Sequence, residues 1–573
     1  MTAGTQEMTG PRTSAETEQM TGARQVCEEL HRHGVTDVFG LMGDGNVQWI
    51  PLLDDYGIAY HAARHEAGAI AMADAYSRVT GRVGVCTVTH GPGLTHGLSC
   101  LIEANRARSS VLFIAGDTPT RATAYSCQDL DHASVLDAVG CASVSVRVVG
   151  TVARDLARTF ARIEDEQRPV TLLLPTDVQR ATCRYAPVEI AASSDARVPA
   201  AADLATLADM VQAAERPLII AGRGAVRCDA RESLETLAEE IGALLGTTVL
   251  AKGLFHGNPF SLDIVGGFST TTAKGLIGEA DLVLGFGAAL STWTVLAGSI
   301  LSPTARVVQV CDEAAAIGSH VPVELGLVAD ARATADALAQ ELQRREHEPR
   351  GMRSDQVAQD IARGRTELAA DQGTDDLVDP RAVVLKLDEL LPEQRTLAID
   401  GGWHQALPVR FLTSTDARGF VFLQTYQALG PGLSAAVGAA IGRPDRVTAL
   451  VVGDGALAMS LGELETVARL GLRIAVVVIN DGAYHAEVQE LDDIGQPTDT
   501  AYHGDVDFAA VARALGAEAA TVRSVGDLET ALAGWLPDAA GPLLLDCKVP
   551  CPLDYWSDQR WLEDFWHEPR VVA

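Results

Sequence analysis

Short runs of apolar residues alternate along the chain with longer amphipathic segments. The runs TDVFGL, VGVCTVT, SVLFIAGD and VTLLLP, between residues 36 and 175, have the length and the β-branched content of buried strands. Segments 22–34 and 66–81 repeat apolar residues at helical spacing, and each ends on a glycine. This alternation of strand and helix predicts a parallel sheet with helices on its faces.

The same alternation restarts near residue 217 with RPLIIAGRGA and near residue 394 with QRTLAIDGG. Loop-like segments near residues 190 and 350 separate the blocks, and 573 residues are too many for one hydrophobic core. We therefore predict an α/β protein of three consecutive doubly wound parallel-sheet domains, of which the first and third are candidates for the same fold. The predicted segments are a flexible tail at residues 1–22 and domains at residues 23–185, 197–345 and 376–573.

Acidic side chains outnumber basic ones by 76 to 45, which gives a net charge of −31. Such a surface repels phosphate backbones and anionic lipid, so we expect neither nucleic acid nor a membrane as a partner. The chain has no apolar run of about 18 residues, and its first residues lack the apolar core of a signal peptide. Ten scattered cysteines without a CxxC pair are typical of reduced thiols. Together these features predict a cytoplasmic protein.

Two apolar runs of the third block end on polar triplets, Gly453-Asp454-Gly455 and Asn480-Asp481-Gly482. The amphipathic helix between them should return the chain to a neighbouring strand, so Asp454 and Asp481 are expected at one edge of the sheet. Two carboxylates with nearby backbone carbonyls suit a hard cation such as Mg²⁺. The alternative is that each aspartate is a turn residue in a glycine-flanked loop.

The two triplets resemble the diphosphate motif of the thiamine diphosphate enzymes, in which GDG is followed at a set distance by NN; here 24 residues separate GDG from ND. The resemblance implies thiamine diphosphate and Mg²⁺ as cofactors, with Asp454, Asp481 and the backbone of Ala483 as metal ligands. Asp481 stands where the family has Asn. It still supplies an oxygen, but its charge strengthens attraction for the cation and repulsion of the diphosphate.

Segment 63–81, ARHEAGAIAMADAYSRVTG, resembles the pyrimidine-binding part of the same family. The resemblance places Glu66 on the glutamate that hydrogen-bonds N1′ of the aminopyrimidine and promotes loss of the C2 proton. Such a role needs a half-buried carboxyl that can share a proton. Outside the family pattern, Glu66 is a first-turn acid favoured by the helix dipole. The three blocks then correspond to a pyrimidine-binding, a central and a diphosphate-binding domain.

Further segments carry the resemblance to individual site residues. The loop DGGWHQALP (400–408) resembles the family loop whose N–H groups donate to the diphosphate, and Leu429 stands at the apolar position that props the cofactor in a bent shape, or else belongs to the core. VTHGPGLTH (88–96) resembles an acetolactate synthase turn, with His90 and His96 where Ser and Asn are usual. His90 either acts in the site or caps this turn. The implied cofactor-binding residues are Glu66, Gly402, His404, Gln405, Leu429, Gly453, Asp454, Gly455, Ala456, Asp481, Ala483 and Tyr484.

The reaction is open between two branches of the family. Asp44 and Glu487 fall on the catalytic acids of pyruvate decarboxylases and are suited to handle protons after carbon dioxide leaves. However, the paired histidines of those enzymes have no convincing counterpart between residues 115 and 135. The glycine-proline turn, Gln128 and the HQ loop favour the acetolactate synthase side. The implied catalytic residues are Glu66, Asp44, His90, Gln128 and Glu487.

We therefore expect a thiamine diphosphate enzyme that decarboxylates a 2-oxo acid and joins the remaining fragment to an acceptor. The alternatives are a decarboxylase that releases an aldehyde, a cofactor-binding relative without catalysis, and an NAD-dependent enzyme binding its nucleotide at residues 219–225. The glycines of the central block do not complete a dinucleotide fingerprint, and we expect no FAD. The resemblance also implies a homodimer or homotetramer with active sites at the subunit interface.

Overall fold

Three six-stranded parallel sheets form the framework of the protein. In the computed structural model, the described residues are 19–121, 126–190, 196–366, 373–374 and 376–550. The predicted fold class of three consecutive α/β units is confirmed. Residues 1–18 of the predicted tail and residues 551–573 of the third predicted domain lie outside the described part of the chain.

The first unit contains the strands of one sheet and a two-stranded antiparallel pair. Its strands are β1 (Gln19–Thr21), β2 (Asp37–Gly40), β3 (Ala59–Ala62), β4 (Gly84–Val88), β5 (Val111–Asp117), β6 (Ala142–Ser145), β7 (Val170–Pro175) and β8 (Thr182–Arg184). Its helices are α1 (Gly22–Arg32), α2 (Glu66–Thr80), α3 (Pro92–Arg106), α4 (His132–Ala138), α5 (Val152–Glu166) and α6 (Thr176–Arg180). Strands β1 and β8 pair antiparallel, so residues 19–21, at the end of the predicted tail, are held at the edge of this unit.

The central unit carries the second sheet. Its strands are β9 (Pro217–Ala221), β10 (Leu244–Thr247), β11 (Ser261–Ile264), β12 (Leu282–Phe286), β13 (Arg306–Cys311) and β14 (Leu325–Val328). The associated helices are α7 (Ala201–Ala213), α8 (Arg223–Arg227), α9 (Arg231–Ile241), α10 (Thr271–Gly278), α11 (Thr292–Val295), α12 (Ala331–Arg344) and α13 (Asp355–Gly364). The strand order β11-β10-β9-β12-β13-β14 is that of a dinucleotide-binding fold.

The third unit carries the last sheet. Its strands are β15 (Arg395–Ile399), β16 (Phe420–Phe422), β17 (Val447–Gly453), β18 (Ile474–Asn480), β19 (Glu518–Val522) and β20 (Leu543–Lys548). Its helices are α14 (Pro380–Leu390), α15 (Ala406–Phe411), α16 (Gly432–Gly442), α17 (Asp454–Met459), α18 (Glu463–Arg469), α19 (His485–Asp493), α20 (Phe508–Ala514) and α21 (Val525–Trp535).

The first and third sheets share one topology. Their orders, β3-β2-β4-β5-β7-β6 and β16-β15-β17-β18-β20-β19, are the same when the six strands of each sheet are counted along the chain. The central sheet follows a different order. The similarity expected between the first and third blocks is therefore present in their topology, although the sequence shows no short internal repeat.

Helices α2 and α16 join the first unit to the third, and their apolar residues lie in one core cluster. The approach is close because a Cβ on Gly438 would lie 2.0 Å from the carbonyl oxygen of Met72. A second link comes from Glu463, whose Oε1 accepts hydrogen bonds from the backbone N–H groups of Arg64 (2.8 Å) and His65 (3.2 Å). These contacts fix the start of α2, and Glu66 with it, against the third unit.

Among the described residues, no helix combines the length and apolar character needed to cross a membrane.

Candidate active site

The two polar triplets meet at the carboxyl edge of the third sheet. Strands β17 and β18 are parallel neighbours in which Gly453 pairs with Ile479, so the residues that follow them emerge side by side. The Gly482 N–H donates to Asp454 Oδ2 at 2.8 Å. Positive φ at Gly482 (71°) allows the sharp turn that brings this N–H to the carboxylate. The structure thus brings Asp454 and the loop of Asp481 together, as the strand-helix-strand pattern predicts.

Asp454 is a buried carboxylate whose charge is only partly offset by its hydrogen bonds. It is 3% exposed, and its Oδ1 accepts from the N–H of Gly455 at 2.8 Å. Burial and, after it, the charge of Asp481 raise the pKa of Asp454 to about 6, while His503 at 3.7 Å acts in the opposite direction. Two acidic groups that repel each other in a buried site favour a bound cation.

Asp481 is held by a histidine that the sequence analysis did not single out. His485 Nδ1 lies 2.8 Å from Asp481 Oδ2, and the Ala483 N–H donates to Oδ1 at 3.3 Å. The His485 ring is buried and packs against Trp403, with 4.5 Å between ring centroids. The extra acid at position 481 therefore has its own partner in the first residue of α19.

The loop after β15 presents two polar atoms that have no partner in the described structure. His404 Nε2 and Gln405 Oε1 are both inaccessible to solvent and make no hydrogen bond. His404 bonds instead to the backbone of Val451, and burial lowers its pKa to about 4. Its ring lies against Gly453, where a Cβ would approach Cε1 to 3.2 Å. Buried polar atoms are normally paired, so this loop has bonding capacity left for a ligand beside Asp454.

Asp400 fixes the shape of that loop. Its carboxylate accepts hydrogen bonds from the backbone N–H groups of Gly401 (2.7 Å), Gly430 (3.3 Å) and Gly432 (2.9 Å). Gly402, with φ 131°, supplies the turn that leads into the residues 403–405. The bonds of Asp400 join the loop after β15 to the start of α16 and thereby set where His404 and Leu429 lie.

Leu429 and Tyr484 lie at the surface above this edge, each 38% exposed. Leu429 is therefore not part of this chain's own buried core. The Tyr484 ring stands over Gly455, where a Cβ would meet its Cε1 at 2.7 Å, and Ala456 is buried below. An apolar and an aromatic side chain therefore flank the opening to the two aspartates.

Glu66 lies at the first position of α2, 9% exposed. His96 Nδ1 approaches Glu66 Oε2 at 3.1 Å, and the His65 and His96 rings stack with 5.4 Å between centroids. The three side chains place their ligating atoms within 4.8 Å of one another. In the sequence, His96 is a departure from the family pattern that could also cap the turn; in the structure it is the direct partner of Glu66.

His90 and its neighbours form a second polar group in the first unit. His90 is 3% exposed, and burial lowers its pKa while Asp44 acts in the opposite direction. His132 Nε2 accepts from the Gly91 N–H at 2.7 Å, and its Nδ1 lies 3.0 Å from Asp117 Oδ1. His132, at the first position of α4, lies within residues 115–135, where the sequence offers no convincing histidine pair; its contact with the turn at Gly91 appears only in the fold.

The remaining predicted catalytic residues, Asp44, Gln128 and Glu487, are more exposed than Glu66 and His90. Asp44 is exposed near His90. The backbone of half-buried Gln128 packs on Gly91, where a Cβ would lie 2.5 Å from its carbonyl oxygen. Glu487 is exposed in the first turn of α19, and no described hydrogen bond or ion pair ties its side chain to the aspartates.

The site residues thus fall into separate groups within one chain. Across the described residues, no hydrogen bond or ion pair joins Glu66 to Asp454 or Asp481. Glu66 belongs with His96 in the first unit, and the two aspartates belong with His404 and Gln405 in the third.

Family models match all three units. The N-terminal TPP binding domain of thiamine pyrophosphate enzymes matches residues 20–135, the central domain of these enzymes matches residues 204–338, and their C-terminal TPP binding domain matches residues 400–547. The acetolactate synthase large subunit of Parasynechococcus marenigrum is 28% identical over 549 residues, which cover 92% of this chain and 88% of the relative.

Two other relatives are similar over comparable lengths. An acetolactate synthase of Arthrospira platensis is 28% identical over 565 residues, covering 93% of this chain and 94% of that protein. A sulfoacetaldehyde acetyltransferase of Castellaniella defragrans is 26% identical over 552 residues, covering 90% of each chain.

Proposed function

Since the chain belongs to the thiamine pyrophosphate enzymes, we propose that it decarboxylates a 2-oxo acid and ligates the remaining fragment to an acceptor. The observation that carries this proposal is the buried pair Asp454 and Asp481 beside the unpartnered atoms of His404 and Gln405. Carboxylates and uncommitted polar atoms are what a metal-bound diphosphate requires on one sheet edge.

The residues of the third unit fit thiamine diphosphate with Mg²⁺. Asp454, Asp481 and the carbonyl of Ala483 are the oxygen donors we assign to the cation, and water and diphosphate oxygens would complete its octahedron. His404 and Gln405 would bind the diphosphate. The exposed side chain of Leu429 would support the bent cofactor. When bound, the cofactor would supply a nucleophilic carbon that adds to the substrate carbonyl and a cationic ring that takes up the electron pair left behind as carbon dioxide departs.

Glu66 is the group we assign to hold and exchange a proton with the pyrimidine ring. Its carboxylate is mostly shielded from water, which suits a general acid-base group. His96, at 3.1 Å, orients that carboxylate. Asp44, His90 and Gln128 would contact substrate, and Glu487 would move protons at the product stage. These roles rest on the family resemblance and on where each side chain lies.

Two observations divide the ligase from the simple decarboxylase. The relatives reported above are two acetolactate synthases and an acetyltransferase, and these activities favour transfer to an acceptor. The group formed by Asp44, His90 and His132 favours the second candidate, because it concentrates side chains able to deliver a proton and release an aldehyde. We retain ligation as the main proposal.

The separation of Glu66 from Asp454 supports a dimeric or tetrameric enzyme whose active sites lie between subunits. In such an assembly, the second chain would cover the exposed side chains of Leu429 and Tyr484. Mixing inactive Glu66→Gln with inactive Asp454→Ala chains should restore activity through hybrid sites. Absence of recovery, after subunit exchange has been demonstrated by mass spectrometry, would argue for complete sites in single chains.

We also propose a cytoplasmic location. The nine cysteines that the structure describes are all free, which suits a reducing compartment. Small organic acids, and neither nucleic acid nor membrane, are the proposed partners, consistent with the net charge of −31.

The test is turnover of the purified protein with thiamine diphosphate, Mg²⁺ and a panel of 2-oxo acids, with carbon dioxide and organic product measured together. Carbon dioxide with a hydroxy-ketone or a 2-hydroxy-2-methyl-3-oxo acid supports ligation. Carbon dioxide with a free aldehyde supports the second candidate. With cofactor shown to be bound, the absence of carbon dioxide from every substrate would contradict both.

A further inference from the structure

Three side chains that can ligate a metal converge at the start of α2. His65 is the N-cap of this helix, Glu66 is its first residue, and His96 comes from the second turn of α3. One ligating atom of each lies within 4.8 Å of the other two, and no other trio of His, Cys, Asp or Glu in the described part of the chain meets this spacing. The trio belongs to the first unit and is therefore distinct from the magnesium ligands assigned in the third.

The spacing of the three atoms is close to that of ligands around one ion. Ligand atoms about 2.1 Å from a tetrahedral zinc ion lie about 3.4 Å from one another. His96 Nδ1 and Glu66 Oε2 are already 3.1 Å apart. The His65 and His96 rings are exposed and stack at 5.4 Å between centroids. Small rotations of two exposed rings are therefore enough to bring the third ligand into range.

His65 makes one hydrogen bond that competes with a metal. Its Nδ1 accepts from the backbone N–H of Ala67 at 3.1 Å, which is the N-cap bond of α2. A metal on either ring nitrogen breaks this bond, because Nδ1 then carries either the metal or the proton of the neutral ring. The cap is a single neutral hydrogen bond near solvent, which contributes little net stability compared with a zinc–imidazole bond.

The charges around the trio favour a cation. Behind the buried carboxyl group of Glu66, Glu463 accepts hydrogen bonds from the N–H groups of Arg64 and His65. The positive end of α2 acts in the opposite direction, with the equivalent of about half a charge. The Arg64 guanidinium adds little, because its Nε donates to Glu465 Oε2 at 2.7 Å. Two carboxylates therefore outweigh the helix dipole.

We propose that His65, Glu66 and His96 bind a divalent transition-metal ion of the zinc type, and that this ion competes with the cofactor for Glu66. Two imidazoles and a carboxylate, with a fourth position open to water, are a known zinc ligand set. Mg²⁺ prefers oxygen ligands and is not the ion expected here. His96 stands where the family pattern has Asn, so the departure of this chain from the pattern completes the set.

Occupation of the trio blocks the proton exchange assigned to Glu66. A carboxylate must be deprotonated to ligate a metal, and while it is held there it cannot share a proton with the pyrimidine ring. The ion therefore inhibits the enzyme by masking one side chain. This competition rests on the proposed role of Glu66 toward the cofactor, whereas the metal site itself does not.

The experiment is isothermal titration calorimetry with zinc chloride on the full chain carrying Asp454→Ala, which removes a carboxylate of the other metal site. We expect one ion per chain. Adding His65→Asn or His96→Asn should weaken binding at least about tenfold, because each removes one ligand. Asn keeps the helix cap at position 65 and is the residue of the family pattern at position 96. His320→Asn, at an exposed histidine, is the matched control and should change affinity by less than about twofold.

A second titration measures the competition in the chain with Asp454 intact. Thiamine diphosphate is titrated at saturating Mg²⁺ with and without zinc. At a zinc concentration ten times its own dissociation constant, the apparent dissociation constant of thiamine diphosphate should rise by about tenfold. With His65→Asn, the same zinc concentration should change it by no more than about twofold.

The outcomes separate the metal site from the proposed function. Absence of zinc binding to the Asp454→Ala chain overturns the proposal, as does equal affinity with and without His65→Asn and His96→Asn. Zinc binding that requires both histidines but leaves thiamine diphosphate affinity unchanged supports the metal site, overturns the competition and contradicts the role assigned to Glu66. If thiamine diphosphate does not bind under any condition, the proposed function fails, and the zinc titration still decides the metal site.

Discussion

Acidification of the cofactor-free protein tests the buried environment of His404. The ring is 1% exposed, bonds to the backbone of Val451 and leaves Nε2 unpartnered, and burial lowers its pKa from 6.5 to about 4. The unfolded chain therefore takes up a proton that the folded chain resists. Stability from this group is fully present above pH 6.5, falls progressively below it and is fully lost once the pH has passed through about 4.

The size of the effect follows from the two pKa values. Lowering the pH from about 7 to about 5 should reduce the free energy of unfolding by about 2 kcal/mol through His404 alone. Other groups titrate in the same interval, so the comparison is with His404→Asn, whose side-chain N–H can replace the bond to Val451. That variant should lose this part of the pH dependence and keep the remainder.

Urea unfolding followed by tryptophan fluorescence measures the difference, because Trp403 is the neighbouring residue in the loop. His320→Asn, at an exposed position, is the control and should track the unmodified protein. Parallel pH profiles for His404→Asn and the unmodified protein would refute the reasoning, since His404 would then exchange its proton as freely folded as unfolded. With thiamine diphosphate and Mg²⁺ bound, the diphosphate should favour a proton on Nε2 and make the profile shallower.

Three further changes probe the site and its support. Asp454→Ala should abolish thiamine diphosphate binding by calorimetry while the far-ultraviolet circular dichroism spectrum stays unchanged; undiminished affinity without a divalent metal would contradict the assigned ligands. His96→Phe removes the 3.1 Å contact to Glu66 and should slow hydrogen exchange at C2 of the bound cofactor by about tenfold, with His96→Gln intermediate; equal exchange rates would show that His96 is dispensable. Gly438→Ala must displace the Met72 carbonyl and should destabilise the protein by about 1 to 3 kcal/mol in urea unfolding; an unchanged midpoint would mean that α2 and α16 are not tightly coupled.

Local periodicity was enough to predict the three parallel sheets and the meeting of the two triplets. Buried parallel strands are continuous apolar runs, and a crossover helix fixes where the next strand ends. The Asp454–Gly482 bond is the direct result of that rule. The exposure of Leu429 was not predictable, because a leucine in the sequence carries no sign of which surface will cover it.

Contacts between site residues and side chains from distant segments could not be predicted from the sequence. His485 lies four residues after Asp481 but begins α19, whereas Asp481 belongs to the loop before that helix, so the contact depends on the turn between them. His132 reaches Gly91 from 41 residues away, and His503 reaches Asp454 across an irregular loop.

The bond between His485 and Asp481 makes the two positions epistatic. Asp481→Asn alone would replace a carboxylate with an amide opposite a buried imidazole, and replacing His485 alone would strand a second acid beside Asp454. Either single substitution should therefore destabilise the site, whereas changing both residues together should not. Sequence drift through this site is then expected to proceed by paired substitution, with positions 481 and 485 co-varying among homologues.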